Sequence, residues 1–156
     1  MHNQLRVKPA QLLLVEDNPG DVRLTKETLK DAKLMVDLHV VGDGVEAMAF
    51  LRQQGKYASA PRPDLVLLDL NLPKKDGREV LAETKSDSSL RLIPVVIMST
   101  SQADEDIVKA YSLHANCFVT KPLELDQFNY TIKSIVEFWY ELVKLPRKEY
   151  ILKNTI

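Results

Sequence analysis

Four short stretches of the chain carry residues suited to phosphoryl chemistry: the acid doublet Glu16-Asp17, the single acid Asp69, the hydroxyl pair Ser99-Thr100, and Lys121. A carboxylate set beside a divalent cation and an ammonium is well placed to attack phosphorus, because charge developing on the phosphoryl oxygens is neutralised from two sides. Three carboxylates in one place repel: two unit charges about 4 Å apart interact by about 4 kcal/mol at an effective dielectric near 20. Something cationic must hold them together. Magnesium fits, being a hard ion that takes one or two carboxylates together with waters and phosphate oxygens. Lys121 adds a second positive point charge. Asp69 is the best candidate nucleophile because it ends an apolar run, Leu65-Val66-Leu67-Leu68. Glu16 and Asp17 form a doublet better suited to holding the metal, and the backbone carbonyl of Asn71 is a further candidate ligand. Singly, Asp or Ser in such places is most often a turn former or helix cap, so only their joint placement carries weight.

These residues act together only if the fold brings them to one edge. Apolar runs at 11–15, 35–41, 65–68, 93–98 and 117–119 alternate with helical periodicity at 19–31, 44–54, 77–85, 103–113 and 123–144. That is the pattern of βα units around a parallel sheet. The third and fourth runs are almost wholly apolar and fit central strands covered on both faces, Pro94 being tolerable only at a strand's start. The second alternates Val36, Leu38 and Val40 with polar residues and fits an edge strand. In open parallel sheets functional groups gather outside the carboxyl ends of the strands. Here those ends deliver Glu16-Asp17, Asp69, Ser99-Thr100 and Lys121. The loop at 55–63, with Gly55, Pro61 and Pro63, lies on the surface and is not a domain boundary.

A chain of 156 residues fits one domain. The division expected is an N-terminal extension at 1–10, a domain at 11–145 and a tail at 146–156. With 21 basic and 22 acidic residues the net charge is −1, so no global field draws nucleic acid or an anionic membrane. No apolar run reaches membrane-spanning length and the first residues lack an apolar targeting core, which points to a cytoplasmic protein. Cys117 has no partner for an internal disulfide and reads as a small buried hydrophobe in a reducing compartment. His2, His39 and His114 lack metal-ligand spacing.

From about residue 11 to about residue 145 the sequence resembles the receiver domains of two-component signalling. The resemblance rests on Leu14-Val15-Glu16-Asp17-Asn18, on the segment from Asp64 through Asp69-Leu70-Asn71-Leu72-Pro73 with Asp76-Gly77, and on Val119-Thr120-Lys121-Pro122. It implies a flavodoxin-like, doubly wound sheet of five parallel strands in order 2-1-3-4-5, with helices on both faces and an extended C-terminal helix. It implies a stand-alone regulator, not an enzyme with an external substrate, that takes a phosphoryl group from a sensor histidine kinase onto Asp69. By the same resemblance Glu16, Asp17, Asp69 and the Asn71 carbonyl arrange Mg2+, and Lys121 contacts the phosphoryl group across a cis bond to Pro122. Ser99 takes the switch-hydroxyl position and Phe118 that of the switch aromatic, signalling through the face of the fourth helix, fifth strand and fifth helix. His114-Ala115 departs from the usual Gly-Ala, and Lys75 replaces a frequently apolar residue. A narrower resemblance, through Asp17-Asn18-Pro19-Gly20-Asp21-Val22-Arg23-Leu24 and Phe138-Trp139-Tyr140, is to the small regulators of cyanobacterial phytochrome kinases. It implies a phytochrome as phosphodonor.

In the last helix Leu125, Phe128, Ile132, Ile135, Trp139 and Leu142 form an apolar stripe expected to pack on the sheet. Val136, Tyr140 and Val143 make a second stripe, and Phe138 lies off both. This excess predicts a homodimer through Phe138, Trp139, Tyr140 and Val143. Pro146 ends the helix, and the tail with Tyr150, Ile151, Leu152 and Ile156 either covers its own domain or reaches a partner subunit. An aspartyl phosphatase would want a second acid where Asn71 stands. DNA binding is disfavoured by the absence of a helix-turn-helix or basic extension. A phosphorylation-independent adaptor with a receiver fold is the alternative, and the complete set of pocket residues weighs against it.

Overall fold

The computed structural model describes residues 8–154. Five strands, β1 (Ala10–Val15), β2 (Val36–Val41), β3 (Leu65–Leu68), β4 (Val95–Ser99) and β5 (Cys117–Thr120), alternate with α1 (Pro19–Asp31), α2 (Gly44–Leu51), α3 (Gly77–Ser86), α4 (Asp104–Ser112) and α5 (Leu125–Glu137). All strand pairs are parallel, in the order β2-β1-β3-β4-β5. This is the expected flavodoxin-like, doubly wound sheet.

Period-two alternation explains the two-sided core. Leu13 and Val15 of β1 point to the side where Met48 and Phe50 of α2 and Val80 and Leu81 of α3 pack. Leu12 and Leu14 point to the side of Leu29 of α1 and Phe128, Ile132 and Ile135 of α5. The central strands β3 and β4 are buried along their whole length, so neither face can be polar.

Local chemistry sets the helix starts at the carboxyl edge. Asn18 caps α1 ahead of Pro19, accepting from the Asp21 amide, and Asp43 caps α2. Asp76 and Glu79 close a capping box on α3. The helix α2 ends at Leu51, three residues short of the expected stop, because Gln53 takes a left-handed φ of 55°. His114 has φ 71°, the left-handed backbone that suits glycine, the residue expected there from the resemblance.

The C-terminal helix departs from the expected continuous α-helix. After Glu137 the chain makes one turn of π-helix, Phe138–Leu142, closed by the Val143 amide on the Phe138 carbonyl at 3.0 Å. The wider turn rotates the side chains that follow. Tyr140 is buried and its hydroxyl donates to the Gln11 carbonyl at 3.0 Å, so it belongs to the monomer's own core and not to an outer surface. Leu142 is 72% exposed and Leu125 53%, so only the middle of the first stripe packs on the sheet.

Beyond Pro146 the chain forms a further short helix, α6 (Lys148–Asn154), and Ile151 is buried beside Pro63, Ile93, Pro94 and Leu145. Residues 1–7 of the expected extension, Ile156 and the Leu152 side chain lie outside the described residues; Ala10 already belongs to β1. Among the described residues no helix is long and apolar enough to cross a membrane, and no peptide bond is cis. The Lys121–Pro122 bond is therefore trans, the isomer that a tertiary amide favours by about 0.5–1 kcal/mol.

Candidate functional site

The site lies where β1, β3, β4 and β5 end. One step past β1, Glu16 continues the ladder through its amide on the Val41 carbonyl at 3.0 Å. This places its carboxylate inward, 5% exposed, while Asp17 stays at the surface. Glu16 accepts from the Asn18 amide at 3.1 Å and from Lys121 Nζ at 2.7 Å. Burial pushes its carboxyl above the ordinary range, and the bonds from Lys121 and Asn18 offset part of that rise.

Asp69 stands one residue past β3, its amide on the Val15 carbonyl at 3.1 Å. Its Oδ1 accepts from the Asn71 amide at 3.0 Å, which folds the exposed Asn71 into a tight turn, and its Oδ2 accepts from Lys121 Nζ at 3.2 Å. The start of α3 presses on this backbone. A Cβ on Gly77 would stand 2.2 Å from the Asp69 carbonyl oxygen, so only glycine permits the approach.

Lys121 follows β5, and its amide donates to the Ser99 carbonyl at 2.7 Å. Its side chain is 10% exposed and its ammonium meets Glu16, Asp69 and a carboxylate without an assigned part in the sequence motifs, Asp21, at 3.0 Å. Burial alone would pull the ammonium down; the bonds to Glu16 and Asp21 and the Asp69 charge outweigh it and push it up. Lys121 is held as a cation. Asp21 belongs to the segment that carries the narrower resemblance, but nothing in the sequence gave it a role at the site, since an acid in the first turn of a helix is ordinarily a helix-dipole partner.

Ser99 ends β4 fully buried, its hydroxyl oxygen accepting from the Ser101 amide at 3.1 Å. Phe118 in β5 is half-buried against the face of α2, α3 and α4, and its amide donates to the Tyr111 hydroxyl of α4 at 3.1 Å. Away from this edge, Phe138 is 48% exposed and its ring meets that of half-buried Trp139 edge-on at 5.4 Å; Val143 is also half-buried.

Carboxylate oxygens of Glu16, Asp17 and Asp69 lie within 4.8 Å of one another. Three acids, Glu16, Asp21 and Asp69, meet the one ammonium. The donors are all hard oxygens, with no thiolate or imidazole among them. This set fits a hard divalent cation such as Mg2+ or Mn2+ and would suit zinc poorly.

An open parallel sheet carrying an acid doublet, a central aspartate, a buried hydroxyl and a lysine along its carboxyl edge defines a doubly wound α/β domain built around an acidic, lysine-bearing pocket. The chain belongs to the response regulator receiver domain family, which residues 12–133 match. It is 50% identical over 138 residues to the response regulator Rcp1 of Synechocystis sp., spanning 88% of this chain and 94% of that protein. The crystal structure of the phosphorylated cyanobacterial phytochrome response regulator RcpA superposes with a TM-score of 0.86 at 53% identity, covering 89% of this chain and 99% of the other. The Mn2+-bound form of Rcp1 gives a TM-score of 0.85 at 50% identity, covering 89% and 100%. The chain is thus a response regulator homologous to those of phytochromes.

Proposed function

We propose that the chain accepts a phosphoryl group on Asp69 from a phosphohistidine of a sensor kinase, a phytochrome, and signals through the surface of α4, β5 and α5. The observation that carries this is the Lys121 ammonium bonded to Asp69 Oδ2 and Glu16 Oε1 beside three clustered carboxylates. An Asp69 oxygen attacks phosphorus, the phosphorus–nitrogen bond of the donor breaks, and the imidazole leaves carrying a proton. Glu16, Asp17, Asp69 and the Asn71 carbonyl would hold Mg2+, which would supply positive charge to the phosphoryl oxygens. Lys121 remains protonated and supplies a second positive charge to those oxygens. Water later cleaves the acyl phosphate; no external substrate is turned over.

The phosphoryl group adds about −1.5 to −2 charge and new acceptor oxygens. The Ser99 hydroxyl turns to donate to one of them and gives up the Ser101 amide. The half-buried Phe118 ring then moves into the space behind β4, and the Tyr111 tether on its amide carries the change to α4. Val108 and Tyr111 of α4, and Leu123 just before α5, are among the exposed apolar side chains available to present it. Carrying such a switch from 1:99 to 99:1 takes about 5.5 kcal/mol of differential interaction.

The phytochrome donor is supported by the identity to RcpA and Rcp1. A cytoplasmic setting is supported by Cys117, half-buried and with burial pushing its thiol up, a poor subject for disulfide chemistry. A homodimer through Phe138, Trp139 and Val143 is supported by the exposed Phe138 ring on the π-helical turn; Tyr140 takes no part. Phosphotransfer is tested with a labelled, autophosphorylated phytochrome kinase: label should move to the native chain, and retention on the kinase contradicts the donor. Sedimentation of the phosphorylated proteins completes the test. Phe138→Ala should stay monomeric at concentrations where the native chain dimerises, and Ser99→Ala should carry label while its phosphorylation no longer alters partner binding. A dimeric Phe138→Ala, or a Ser99→Ala that responds normally, removes that residue from the mechanism.

A further inference from the structure

Asp21 is the one carboxylate on Lys121 that stands outside the clustered metal-binding acids. Its backbone is fixed at both ends: the amide donates to Asn18 Oδ1 at 3.1 Å and the carbonyl accepts from Thr25 Oγ1 at 2.8 Å. Its side chain, 22% exposed, receives Lys121 Nζ at 3.0 Å. The other two partners of that ammonium, Glu16 and Asp69, are acids that a divalent cation would claim. A cation drawn to them repels an ammonium sharing the same oxygens. The Lys121 side chain, 10% exposed, has little access to water, and among the described residues Asp21 is the remaining acid within its reach.

We infer that Asp21 is the position to which the Lys121 ammonium withdraws when a hard divalent cation occupies Glu16 and Asp69, and that it thereby sets the affinity for that cation. Asp21 is a positioning residue that acts through Lys121. It leaves the lysine charged and close to where phosphoryl oxygens arrive, yet out of competition with the metal. The inference rests on the proposed metal site. In Asp21→Asn the ammonium has only Glu16 and Asp69 as charged partners and competes at both.

The test is titration of free Mn2+ by electron paramagnetic resonance at fixed ionic strength. Asp21→Asn should weaken binding about fivefold, the size of one partly exposed ion pair, and Asp21→Glu should restore most of it. In a Lys121→Met background the Asp21→Asn effect should vanish, because no ammonium is left to hold aside. An Asp21→Asn chain that binds like the native overturns the inference, and so does an equal loss in the Lys121→Met background, which would make Asp21 a direct electrostatic contributor. A native chain that binds no Mn2+ overturns the metal reading itself and this inference with it.

Discussion

Replacing Lys121 with methionine is expected to destabilise the metal-free protein by about 3–5 kcal/mol, the cost of leaving a buried charge without its partner. Methionine preserves the length and the packing of the stem and removes only the cation. Glu16, at 5% exposure, then keeps a single neutral donor, the Asn18 amide, and faces Asp69 with nothing positive between them. Divalent cation should recover part of the loss by neutralising the same oxygens. Phosphorylation of Asp69 should slow by about 10²–10³-fold even with the metal saturating, since one of two charges on the transferring oxygens is gone. Urea unfolding with and without Mg2+, together with the rate of acyl-phosphate formation, measures both effects. A variant as stable and as fast as the native chain would show that the contacts of Lys121 do not hold the site together.

The second large effect is expected where no functional group is touched. An alanine Cβ at Gly77 would lie 2.2 Å from the Asp69 carbonyl oxygen, 2.7 Å from Leu70 Cα and 2.9 Å from the Leu70 carbonyl oxygen. These are backbone atoms that no rotamer change can move aside. Either α3 retreats or the Asp69–Leu70 segment shifts, and overpacking of this kind costs about 1–3 kcal/mol or more. Alanine's higher helix propensity returns at most about 1 kcal/mol. A displacement of Asp69 by about 1 Å also costs roughly 10²-fold in rate. Gly77→Ala should therefore lose both stability and phosphorylation, whereas Gly42→Ala, whose Cβ meets nothing within 4 Å, should change the phosphorylation rate little. Equal behaviour of the two variants would mean that the approach of α3 does not position Asp69.

Much of this architecture was legible in the residues. Apolar runs mark all five strands, and the buried character of Leu65-Val66-Leu67-Leu68 puts β3 at the centre, next to β1 and β4. The gathering of Glu16, Asp17, Asp69 and Lys121 follows from parallel strands ending at one edge. What the pattern did not show depends on geometry that periodicity does not encode. Spacings of three and four assume an unbroken α-helix, so the π-helical turn at Phe138–Leu142, which buries Tyr140 and leaves Phe138 outside, was invisible to them. Pro146 marks a stop without saying that a new helix starts two residues later. Asp21 looks like any acid in a first helical turn until β5 and α1 bring Lys121 against it, 100 positions away in the chain.

The central claim is that Asp69 takes the phosphoryl group. Its most direct test is the intact mass of the native chain and of Asp69→Asn after incubation with Mg2+ and a small acyl phosphate, quenched rapidly in acid. One phosphoryl increment on the native chain and none on Asp69→Asn is the expected result. An increment that persists in the variant would place the phosphoryl group on another residue, and a native chain that gains none would favour the phosphorylation-independent adaptor.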